Sequence, residues 1–141
     1  KYPKIDSETL DQVLLLSLGR SGRALQLLGN PEMFQEVRDL YRHIQFLDEK
    51  AGFATRFQSM HELAQNPEKL KTFLTLLSHY FREKMLRSPA AEECAHAVDI
   101  IEKTHRTIDL LAGNVNERLA LEYIMLGLRA PSKTAASGLK V

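Results

Sequence analysis

Five histidines, one cysteine and eighteen acidic residues are the groups in this chain that could bind a metal or move a proton. His43, His61 and His79 recur every 18 residues, which is five helical turns. They belong to three different expected helices, so the interval puts them on no common face. His96 and His105 share one expected helix but lie too far apart to hold a single ion. No His-Glu-x-x-His element and no paired Cys/His spacing is present, and the histidines read as surface or interface residues with no metal. Cys94 can form no internal disulfide. It sits among helix formers in "AAEECAHAVDII" without an activating cluster, which suits a small buried hydrophobe better than a nucleophile. The phosphate-cradling GxxxxGK[ST] and GxGxxG patterns and the nucleophile elbow GxSxG are all missing, so no cofactor and no catalytic residue is expected. Aromatic and basic residues interleave in "YFREKMLR", a pattern able to stack on single-stranded nucleic acid. Tyr80 and Phe81 also continue an apolar stripe from Phe73 and Leu77, and that stripe assigns them to a core.

The elements that would position these groups are helical throughout, giving an all-α fold of five to six bundled helices. Asp6 or Ser7 can cap a first helix carrying Leu10, Val13, Leu14 and Leu18, which "LGRSG" interrupts before a short "RALQLL" segment. Asn30-Pro31, Asn66-Pro67 and Ser88-Pro89 each offer a capping residue followed by proline at the first helical position, where its missing N–H costs nothing. Phe34, Val37, Tyr41, Ile44 and Leu47 define the helix after Pro31. A break near Asp48 to Gly52 leads to Phe53, Phe57, Met60 and Leu63. Leu70 to Met85 form an amphipathic stripe. Cys94, Ala97, Val98, Ile101, Ile108 and Leu111 form the next, which stops at Gly113. Asn114 or Asn116 caps the last helix, and "RAPSKTAASGLKV" reads as a flexible tail over 129–141.

With 141 residues the chain fits one real core, and its 44% hydrophobic and 26% charged content is ordinary for a globular domain. Nineteen basic and eighteen acidic residues are interspersed for a net charge of +1, which gives no electrostatic case for binding nucleic acid directly. The longest aliphatic run, Val13 to Leu16, is far too short to span a bilayer, and the expectation is a cytoplasmic protein without membrane contact. The start at "KYPKIDSE" without an initiator Met suggests that residues upstream are missing.

Two stretches, "SLGRSGRALQLL" and "GNVNERLALEYIMLGL", begin about a hundred residues apart, with helical pattern between them. In that order they resemble the C-terminal part of bacterial DNA polymerase III clamp-loader subunits, most closely the delta-prime subunit family. Gly19, Gly22, Ala24 and Leu25 match a signature near the end of the family's AAA+ lid domain, although Arg20 replaces the usual Ser. Asn114, Val115, Asn116, Leu119, Ala120, Leu121 and Glu122 match the start of the helix that closes its collar domain, and "YFREKML" is similar to a third family segment. ATP-binding members usually carry a sensor arginine where this chain has Gly22, a departure that favours the non-hydrolysing delta-prime member.

The resemblance implies the last helices of a lid domain over 1–29, a collar-like oligomerisation domain over 30–128, and the tail. It implies a non-catalytic role in DNA replication: holding the subunit in the ring that loads the sliding clamp. The partners would be other clamp-loader subunits, with DNA reached only through the full complex. The collar of another clamp-loader subunit and an unrelated helical adaptor, binding protein or single-stranded nucleic acid, are the alternatives.

The last helix carries more apolar surface than one buried face requires. On a wheel, Leu121, Met125 and Leu128 share an arc with Glu117, Arg118 and Glu122, while Ala120, Tyr123, Ile124 and Leu126 lie around the other side. The expectation is that Tyr123 and its neighbours pack on the core. Leu121, Met125 and Leu128 then meet another subunit, with Glu117, Arg118 and Glu122 at the rim.

Overall fold

The computed structural model describes residues 6–113 and 116–128. The expected tail over 129–141, and Asn114 and Val115 of the second motif, lie outside them. Seven helices and no strand occur among the described residues: α1 (Ser7–Leu16), α2 (Ser21–Gly29), α3 (Pro31–Glu49), α4 (Phe53–Ala64), α5 (Pro67–Arg87), α6 (Ala91–Ala112) and α7 (Glu117–Gly127). The all-α reading holds, and five of the seven lie beyond Pro31.

Local chemistry explains most of the boundaries. The Asn30 side chain accepts a hydrogen bond from Met33 N–H at 3.1 Å and that of Asn66 from Lys69 N–H at 3.2 Å, so α3 and α5 begin at their prolines as expected. Ser88-Pro89 departs from the pattern, because α6 starts two residues later, at Ala91. Ser88 closes α5 instead, its N–H bonded to Lys84 O. Its hydroxyl accepts from Ala90 N–H at 3.3 Å and donates to Glu93 at 2.5 Å. The α1–α2 turn also differs from expectation. α1 stops at Leu16, and Leu18 and Gly19 both take left-handed backbone, with φ of 60° and 74°. That conformation is strained for leucine and free for glycine, which gives Gly19 of the first motif a backbone reason.

The chain divides into two compact units between Arg42 and His43, within α3. The expected boundary at Gly29 ends a helix, but α3 is continuous and its second half places Ile44 and Leu47 in the later unit. In the first unit α1 packs on α2.

In the second unit α4, α5, α6 and α7 form a cycle of neighbours in which α5 meets α6, α6 meets α7, α7 meets α4 and α4 meets α5. Its core is led by α5, which buries Leu70, Phe73, Leu74, Leu76, Leu77, Tyr80 and Phe81. Tyr80 and Phe81 are thus core residues, as their stripe implied. Two other helices are rotated from the expected faces. α6 buries Ala97, Ile100, Thr104 and Thr107 and leaves Val98 and Ile108 exposed. The two threonines can be buried because each hydroxyl donates to its own helix, Thr104 to Ile100 O at 2.7 Å and Thr107 to Lys103 O at 2.8 Å. α4 buries Arg56, Ser59, Met60 and Leu63, while Phe53 is exposed.

Candidate functional site

α7 is initiated by Asn116, whose side-chain oxygen accepts from Arg118 N–H at 2.9 Å and Leu119 N–H at 3.3 Å. Glu117 adds a negative charge to the first turn, where the helix dipole favours it. Of the two candidate caps, Asn116 holds the N-cap position.

The division of α7 differs from the one expected: Ala120 and Ile124 are buried as expected, but Tyr123 and Leu126 face outward and Leu121, Met125 and Leu128 turn inward. Leu121 and Met125 are fully buried and Leu128 nearly so, beside Ala120 and Ile124. These five residues recur at i, i+1, i+4, i+5 and i+8, a continuous stripe that fills the groove between α4 and α6. The competing stripe has only Leu119, Tyr123 and Leu126, so the broader apolar face goes inside. A wheel that counts greasy positions without weighing the two stripes cannot make this choice.

What remains outside is a ridge. Leu119 is 63% exposed, Leu126 66% and Tyr123 37%. Leu119 and Leu126 are two turns apart and point within about 20° of each other, away from the buried stripe. The ridge has a charged border on each side. Arg118 Nε bonds Glu122 Oε1 at 3.0 Å on one. On the other, the Lys103 ammonium lies 5.7 Å from the centre of the Tyr123 ring and pairs with Asp99 at 2.8 Å. Such exposed pairs add little stability and serve to hold the side chains in place. Of the three charges expected at a rim, Arg118 and Glu122 border this ridge and not the one predicted, whereas Glu117 lies on the opposite side of the helix, at its first turn. Gly127 lets α7 come close to α6, since a Cβ there would meet Ile100 Cδ1 at 3.1 Å and Lys103 Cδ at 3.0 Å.

The end of α7 is tied to the rest of its unit by a residue the sequence reading passed over. Arg56 is fully buried. Its Nε donates to Leu47 O at 2.9 Å, Nη2 to Asp48 O at 3.4 Å and Nη1 to Leu128 O at 3.4 Å. Burial pushes the guanidinium below its usual pKa, and the nearby Asp48 charge opposes that shift. The Asp48 carboxylate, itself 6% exposed, accepts from Tyr80 OH at 2.8 Å and from Lys84 Nζ at 2.6 Å. One polar knot thereby joins α3, α4, α5 and α7. The available signal was Arg56 standing four residues before Met60, in phase with a buried position.

The remaining titratable groups do not converge. His43 Nε2 lies 3.0 Å from Ser59 Oγ, and burial lowers its pKa against the opposing pull of Glu62. His61 pairs with Gln65 and His105 with Ser78, each within hydrogen-bonding distance. Among the described residues no group of three or more His, Cys, Asp or Glu could hold a metal ion. Cys94 is half-buried, its thiol 3.6 Å from Met85 O and 3.5 Å from Ser88 O. In the first motif, Gly22, Ala24 and Leu25 lie in α2, with Leu25 exposed. A Cβ at Gly22 would meet nothing within 4 Å, so packing does not require glycine there. No described helix is long and apolar enough to cross a membrane. No family model, curated protein or solved structure matches the chain.

Proposed function

We propose that the chain is a non-catalytic assembly domain. In this reading it is the collar of a bacterial DNA polymerase III clamp-loader subunit of the delta-prime kind, retaining the end of the AAA+ lid at its N-terminal side. It would hold its subunit in the ring that loads the sliding clamp. In that role it acts in the cytoplasm and reaches DNA only through the assembled complex.

The observation that carries the reading is the ridge of Leu119, Tyr123 and Leu126. α7 has already satisfied its inner face, and three large apolar side chains on the opposite face remain in water. Apolar surface of this kind, bordered by charge, suits a partner-binding patch. The ridge also begins within the stretch from Asn114 to Glu122 on which the family resemblance rests.

The test is to mix the chain with the remaining clamp-loader subunits at micromolar concentration and low salt and to measure mass by light scattering. A complex containing the chain is expected. The mass of the free chain under all mixing conditions would overturn the assembly role.

A further inference from the structure

Arg56 sits where two helix ends meet, and its three hydrogen bonds all go to backbone carbonyls of those ends. The last carbonyls of a helix have no partner in its own ladder. At the end of α3 this is accentuated, because Lys50 N–H and Ala51 N–H both bond Phe46 O, at 2.9 and 3.0 Å. Ala51 N–H therefore passes over Leu47 O, the acceptor a regular helical turn would give it. Leu128 is the C-cap of α7, so its carbonyl also lies beyond the helical ladder. Helix C-termini carry partial negative charge, and a planar guanidinium can donate in several fixed directions at once.

We propose that Arg56 is the positioning residue of the α7 ridge: it clamps the end of α7 to the end of α3 and so fixes where Leu126 stands relative to Leu119. The significance of the ridge as an interface rests on the assembly role proposed above, whereas the clamp itself does not. An eleven-residue helix is not stable alone and takes its position from docking. Its inner face is purely apolar, and apolar burial has no direction. The bond from Arg56 to Leu128 O supplies direction at the end of the ridge, two residues beyond Leu126. The guanidinium is held to α3 at 2.9 and 3.4 Å and to α7 at 3.4 Å.

Hydrogen exchange on the full chain, read by mass spectrometry, tests the clamp without any partner. Arg56→Met keeps the bulk and removes every donor. The expected result is that amides of 120–128 exchange at least about tenfold faster relative to wild type, while those of 73–81 in α5 change by a clearly smaller factor. Arg56→Lys, whose one nitrogen lacks the spread of the three that donate in Arg56, should show the same selectivity with a smaller factor. An equal change in both segments, or no change in 120–128, overturns the proposal. If the methionine variant loses its helical circular dichroism, the lysine variant decides by the same comparison. Wild-type chain with a protected α7 that still joins no complex would sink the assembly role and leave the clamp standing.

Discussion

The inner and outer faces of α7 are built from similar residues and have opposite fates. Inside, Ala120, Leu121, Ile124, Met125 and Leu128 are within 3% of complete burial. Outside, Leu119 and Leu126 keep about two-thirds of their surface in water, with Tyr123 beside them. Chemistry at the level of single residues does not separate the two sets, since leucine appears in both. Continuity does: five contiguous positions fill a groove between two helices, and three form a ridge with nothing described above it. A helix can therefore be greasy all round without being a core helix.

Substitutions at neighbouring positions should break this contrast. The largest effect is expected at Leu121, where Leu121→Asp puts a carboxylate into a fully buried site and should cost more than about 3 kcal/mol in urea denaturation. Met125→Ala should cost about 2–4 kcal/mol through the cavity it leaves, while Leu126→Ala, one residue away, should stay within about 0.5 kcal/mol. Gly127→Leu tests the seam with α6. Its side chain would press on Ile100 and Lys103, and a loss of about 1–3 kcal/mol is expected by the same measurement.

A subtler contrast comes from pH. Burial holds the His43 imidazole below its ordinary value near 6.5, so the folded chain prefers it neutral. The unfolded chain binds that proton more readily, and stability contributed by this site is full above the ordinary pKa and lost as the pH falls toward the lowered one. The urea midpoint should therefore decline from about pH 7 to about pH 5, and less steeply in His43→Gln. An unchanged slope in that variant would assign the decline to other groups.

Legibility of the fold in the sequence followed how apolar each buried stripe is. α5 was readable because its buried positions are aliphatic or aromatic, from Leu70 to Phe81. α6 was misplaced by part of a turn because Thr104 and Thr107 look polar in a sequence. In the fold they spend their hydroxyls on their own backbone and become small core residues. α4 was displaced for a related reason: Arg56 is a charge by composition and a core residue by position, satisfied by carbonyls that come from two other parts of the chain. Those partners are eight, nine and 72 residues away, and no local pattern announces them. In α7 the dividing line was misdrawn, because Ala120 and Ile124 share one continuous buried stripe with Leu121, Met125 and Leu128, while Tyr123 and Leu126 stand outside it with Leu119. The clearest helix starts, Asn30-Pro31 and Asn66-Pro67, were legible because a cap and its proline act within four residues of each other.

The burial of Leu121, Met125 and Leu128 moves the proposed interface to Leu119, Tyr123 and Leu126, and the most direct measurement uses that face. Leu119→Asp combined with Leu126→Asp should leave circular dichroism and the urea midpoint close to wild type, because both side chains are already in water. Light scattering of each protein with the clamp-loader subunits proposed as its partners then decides. The account predicts that the wild-type chain enters a complex and the double variant stays at the mass of the free chain. A double variant that assembles as fully as wild type would contradict it.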